Sequence, residues 1–146
     1  MEESISLLDK LKMEFVCEEV DIRQYSPLTL AFLGDCVFDL IIRTVIVKRA
    51  NRAPEQLHKV KSSFVKAESQ AKMAEAVLDV LTEEELAVYK RGRNAKSFST
   101  AKNASVTAYR KATGFEALVG YLYLQNQEDR IIELTKIALD KTDRQI

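Results

Sequence analysis

The run from Ser26 to Val47 is almost unbroken in its apolarity, and it limits what this chain can fold into more than any other feature. Pro27 suits the first turn of a helix, with Ser26 before it as the cap. The apolar residues that follow leave no polar face, so the segment reads as a central helix packed on most sides. One residue breaks the pattern. Asp35 shares a face with Leu28, Ala31, Phe32, Phe38 and Ile42 at helical spacings, and a carboxylate on an apolar face needs a partner or a cation. Asp39 stands one turn further on, where two like charges repel unless something positive lies between them. Two readings stay open: Arg43 pairs with Asp39 while Asp35 caps a neighbouring helix, or the helix carries a metal site.

The 146 residues are expected to form one domain over 1–146, large enough for a hydrophobic core without covalent staples. Four glycines, two prolines and a scarcity of β-branched runs bounded by turns predict an all-α fold. The acidic start, Met1-Glu2-Glu3, and the lack of any run of membrane-spanning length predict no leader and no anchor. Cys17 and Cys36 lie in apolar helical patterns without metal-ligand spacing. They are expected to be reduced core residues of a cytoplasmic protein.

A formal net charge of zero hides a strong segregation. Residues 1–21 hold seven acids against Lys10 and Lys12, whereas Lys90, Arg91, Arg93, Lys96, Lys102, Arg110 and Lys111 form a stretch with no acid. That asymmetry predicts a localised polyanion-binding face. Along the chain, Ile5, Leu8, Leu11 and Phe15 mark an amphipathic helix over 4–19. The central helix should end near Lys48-Arg49, and Pro54 should open a long helix with Leu57, Val60, Phe64, Ala67, Ala71, Ala74 and Leu78 inward and Lys59, Lys61, Lys66 and Lys72 outward. His58, with no ligand set around it, is expected to be a surface or structural histidine. Thr82 with Glu85 three residues on is a capping box. Residues 92–105, rich in Ser, Asn, Lys and Arg, read as the one substantial loop, with Arg91, Arg93, Asn94, Lys96, Ser97, Lys102 and Asn103 as phosphate-backbone contacts. Two helices, over about 106–124 and 128–141, close the chain.

Glu116 repeats the anomaly of Asp35 within Thr113-Gly114-Phe115-Glu116-Ala117-Leu118-Val119-Gly120. A mid-helix glycine costs roughly 1 kcal/mol relative to alanine, so Gly120, like Gly34 beside Asp35, points to a close backbone approach. Two helices crossing at these small residues would bring Asp35 and Glu116 to one ion.

Leu30-Ala31-Phe32-Leu33-Gly34-Asp35-Cys36-Val37 resembles the ribonuclease III signature Leu-Glu-Phe-Leu-Gly-Asp-Ala-Val, and Phe115-Glu116-Ala117-Leu118-Val119-Gly120 resembles the second acidic motif of that family. The Arg-Gly-Arg-Asn-Ala-Lys-Ser run looks like the short branch without a double-stranded RNA-binding domain, Mini-ribonuclease III. The resemblance implies an endonuclease domain of about seven helices that dimerises and cuts duplex RNA, with precursor large-subunit ribosomal RNA as target. It implies Asp35 and Glu116 as catalytic metal ligands and Phe32 as the aromatic that reaches into the partner subunit. Where the larger enzymes carry two further acids, this chain has Ala31 and Thr113. That leaves Asp39 to assist through water.

The chemistry agrees with that expectation. Carboxylate oxygens suit Mg²⁺, which takes one or two carboxylates and keeps its waters. Phosphodiester hydrolysis needs an activated water and neutralisation of developing charge, and no serine or histidine nucleophile. The partners expected are double-stranded RNA, a second copy and, for ribosomal RNA, a ribosomal protein, with no membrane. A non-catalytic RNA-binding homologue on pre-ribosomal particles is the alternative, to which Ala31 and Thr113 lend weight and against which the retained Asp35 and Glu116 stand.

Overall fold

The computed structural model describes residues 5–96 and 105–146, and among them every regular element is helical. The α-helices are α1 (Leu7–Glu14), α2 (Pro27–Arg49), α3 (Pro54–Val65), α4 (Ala67–Val77), α5 (Glu83–Asn94), α6 (Val106–Leu124) and α7 (Glu128–Lys141). The caps follow the sequence closely. Ser26 Oγ accepts from the Thr29 amide with Pro27 in the first turn, and the Thr82–Glu85 capping box is complete in both directions. Glu85 is also gripped by Arg130 of α7, whose Nε and Nη2 each donate to its carboxylate at 2.9 Å.

The helix around which the fold is built is α6, not α2. Ten consecutive or near-consecutive residues of α6, from Ala112 to Leu122, are buried, and α2, α4 and α5 pack around it. Helix α2 buries Leu30, Ala31, Gly34, Phe38, Ile42 and Ile46 against it but keeps Phe32, Cys36, Leu40 and Val47 exposed. The all-round apolarity of α2 therefore reports two uses: one face for the core, and one left exposed among the described residues.

The α2–α6 crossing is antiparallel and as close as backbones come. Leu30 meets Gly120, Gly34 meets Glu116 and Gly120, and the Phe38 and Phe115 rings pack edge to face at 5.2 Å. A Cβ on Gly34 would stand 1.7 Å from the Glu116 carbonyl oxygen, and one on Gly120 would stand 2.0 Å from that of Leu30. The two glycines have helical backbones; what they supply is the absence of a side chain.

Several expectations are corrected. The long helix after Pro54 is broken at Lys66, whose ψ of 154° is extended, and Ser69 Oγ bridges the break by donating to the Ser63 carbonyl at 2.6 Å. Helix α1 is shorter than its apolar pattern suggests and has no buried residue. It is tied instead by polar contacts to Asn126, which accepts from Ser6 Oγ at 2.6 Å and donates to Asp9 at 2.9 Å. Cys17 and Cys36 are both exposed and not core residues: each falls on a side of its segment that no other described element covers. Helix α5 continues through Asn94, so Gly92 is a buried helical residue and not the start of a loop. It lies against Thr113, Gly114 and Ala117 of α6.

Candidate active site

Asp35 and Glu116 come from different helices, and the glycine crossing sets the backbone beside Asp35 against that of Glu116, close enough for the Asp35 carboxylate to act on the Glu116 carboxyl. Asp35 is not buried on the core face as its spacing suggested. It sits on the shoulder of α2, exposed, while Glu116 is half-buried beside it. Gly34, Phe38 and Ile42 take the face that points into the core, and Asp35 lies just off it, where a carboxylate keeps its hydration.

Burial, the shared hydrogen bond and the Asp35 charge push the Glu116 carboxyl up from 4.5 to about 9. Without a cation the pair thus shares one proton across the neutral range. The sign of the linkage follows. The folded protein holds a proton on Glu116 that the unfolded chain releases above pH 4.5, so stability in EDTA declines as pH rises from about 4.5 to about 9. Thermal melts across that range should show the decline, and Glu116→Gln should flatten it; an unaltered profile would show that Glu116 is not held protonated.

Asp39 has found cations within the chain. Its Oδ2 lies 2.6 Å from Arg43 Nε and its Oδ1 3.4 Å from Lys61 Nζ. The Arg43 pair is the one the i,i+4 spacing predicted. The sequence pattern places Lys61 on the outward face of its helix and gives it no part in the site. Its side chain is only 14% exposed. The available signal was its spacing: Leu57, Lys61 and Phe64 fall on one stripe of α3. Among the described residues, no group of three or more His, Cys, Asp or Glu converges as a ready-made metal cage.

The basic residues lie along α5. Because Gly92 packs against α6 on either side of Glu116, α5 carries Arg91, Arg93, Asn94 and the following Lys96 past the helix that holds Glu116. Arg91 Nη2 donates to the Tyr25 carbonyl at 3.3 Å, Arg93 stands over the Tyr89 ring at 5.8 Å and donates to Asn94 Oδ1, and Lys96 is exposed. Lys111 is ion-paired with Glu75. Ser97, Lys102 and Asn103 lie outside the described residues. Phe32 is 83% exposed on α2. His58 is exposed as expected, 3.5 Å from Ser62 Oγ.

The ribonuclease III domain family matches residues 28–127, a span that contains both acidic helices and everything between them. The chain belongs to the ribonuclease III family. As a member it is an endoribonuclease. It is similar to Mini-ribonuclease 3 of Enterococcus faecalis, 46% identical over 83% of this chain and 93% of that one. Mini-ribonuclease 3 of Clostridium tetani is also 46% identical, over 82% of this chain and 80% of its own. Among solved structures, the crystal structure of protein FN1578 from Fusobacterium nucleatum superposes with a TM-score of 0.75. It is 33% identical and covers 85% of this chain and 99% of that one. No helix of the described residues is long and apolar enough to cross a membrane.

Proposed function

We propose that this ribonuclease III chain is a Mg²⁺-dependent endonuclease of double-stranded RNA, active as a homodimer, that matures the precursor of large-subunit ribosomal RNA in the cytoplasm. The observation that carries the reading is the meeting of Asp35 and Glu116 at the glycine crossing. The donor set fits the ion. Two hard carboxylate oxygens share a proton that a divalent cation would displace, and one or two carboxylates are what Mg²⁺ asks of a protein. Asp35 and Glu116 would hold it, with Asp39 reaching it through water. When bound, the ion supplies a water of lowered pKa and neutralises charge in the transition state.

The chain's own residues do the rest. Arg91, Arg93, Asn94 and Lys96, with Ser97, Lys102 and Asn103, hold the phosphates that flank the cut. An A-form duplex is read by its shape and 2′-hydroxyl groups, so selectivity among sequences is modest. The exposed Phe32, Cys36, Leu40 and Val47 stand four, four and seven residues apart along α2, which keeps them on one side of the helix, and a second copy covering them supports the dimer. A ribosomal protein that presents the ribosomal RNA in a fixed shape completes the assembly.

Incubating the protein with a long duplex RNA and Mg²⁺ tests the reading directly. Fragments are expected with Mg²⁺ and none with EDTA. Duplex left intact in both, though bound, would replace the nuclease with the non-catalytic RNA-binding homologue.

A further inference from the structure

We propose that Lys61 contacts a phosphate of the strand being cut, within one nucleotide of the scissile bond, and that Asp39 is the residue that positions it. The inference rests on the nuclease reading above and names a group that the reading does not use. Asp35 and Asp39 are neighbours on one side of α2, one turn apart, with roughly 5–6 Å between their Cβ atoms. Lys61 comes from a different helix, α3, and its ammonium reaches Asp39 at 3.4 Å. The metal-binding pair and a lysine of α3 are thereby placed side by side on the same flank of α2.

The charge balance gives Lys61 its work. A divalent ion held by Asp35 and Glu116 has its charge matched by those two carboxylates alone. The transition state of hydrolysis then adds negative charge on the phosphoryl oxygens with nothing left to offset it. One turn away, Asp39 faces both Arg43 and Lys61, so one carboxylate against two cations leaves the cluster with a net positive charge. The Arg43 contact, at 2.6 Å, takes one oxygen of Asp39. The Lys61 contact on the other oxygen is longer, which leaves ammonium protons for an incoming phosphate. With only 14% of its side chain exposed, Lys61 cannot swing freely as a surface lysine does. A fixed ammonium costs no reordering when the substrate arrives. Arg43, His58 and Lys61 also line one groove between α2 and α3, beside the apolar Ile46, Val47, Pro54 and Leu57.

Single-turnover cleavage of a short duplex RNA in Mg²⁺, together with the salt dependence of binding, tests the assignment. Lys61→Met keeps the apolar stem and removes the charge; the cleavage rate is expected to fall ten- to a hundredfold. The slope of log affinity against log salt should become shallower by about 1, as for the loss of one phosphate contact. Lys61→Arg should recover most of the rate. Asp39→Asn should slow cleavage by a smaller factor and leave the salt slope unchanged, because it loosens Lys61 without removing it. If Lys61→Met fails to fold, as judged by its melting curve, Lys61→Gln takes its place with the same expectations. Wild-type rate and slope in the folded variant would overturn the proposal while leaving the nuclease reading intact. Absence of cleavage by the wild type would defeat the nuclease reading itself and this inference with it.

Discussion

Asp35→Asn is expected to lower cleavage of duplex RNA by on the order of a thousandfold or more, equivalent to about 4 kcal/mol of transition-state stabilisation, with RNA binding retained or improved. The variant keeps the shape of the side chain and removes a ligand charge that also repels phosphate. Glu116→Gln should be as severe, and it isolates the cause. Glu116 is already neutral at pH 7 in the cation-free protein, so the amide replaces like with like and the melting temperature in EDTA should be preserved. Millimolar Mg²⁺ should raise the melting temperature of the wild type and not of the variant, since a ligand that binds only the folded state stabilises it by mass action. Cleavage at wild-type rate by either variant would remove that residue from the ligand set.

The second large effect is one of packing. Gly34→Ala places a methyl group 1.7 Å from a backbone oxygen of α6, and Gly120→Ala places one 2.0 Å from a backbone oxygen of α2. Neither obstacle is a flexible side chain, so the helices must separate by more than an ångström. Alanine gains roughly 1 kcal/mol over glycine in helix propensity, but overpacking at a rigid contact costs about 3 kcal/mol or more, and the clash wins. A drop in melting temperature of about 10 °C is expected for either variant. The same displacement parts Asp35 from Glu116, so Mg²⁺ should no longer shift the melt. A variant as stable as the wild type would mean that the crossing is looser than described.

These two glycines were legible in the sequence because each stands beside an acid in an otherwise apolar helix, and a helix-weakening residue needs a reason. The caps at Ser26 and Thr82 were legible for a similar reason: their side chains satisfy amides that the helix itself leaves open. Other features were hidden. The apolar stripe of α1 has the right period, but nothing in the sequence says whether the rest of the chain has surface to cover it. Lys66 breaks a helix without proline or glycine, since the bend is held by Ser69, a contact between residues on either side of it. Gly92 looked like loop because Ser, Asn and basic residues follow it, whereas its burial depends on the small residues of α6 across the interface. Lys61 was concealed by the habit of sending lysines to water, and only the carboxylate of α2 accounts for its retreat.

Helix α2 carries Asp35 on one side and the exposed row of Phe32, Leu40 and Val47 on another, and it is one continuous helix of 23 residues. In a pair of subunits joined along that row, the span between the two cutting centres is set by a stiff strut and not by mobile loops. Such an assembly, if the proposed dimer forms, would act as a fixed-gauge calliper: the offset between the nicks in the two strands would stay constant from one duplex to the next, whatever bases lie between them.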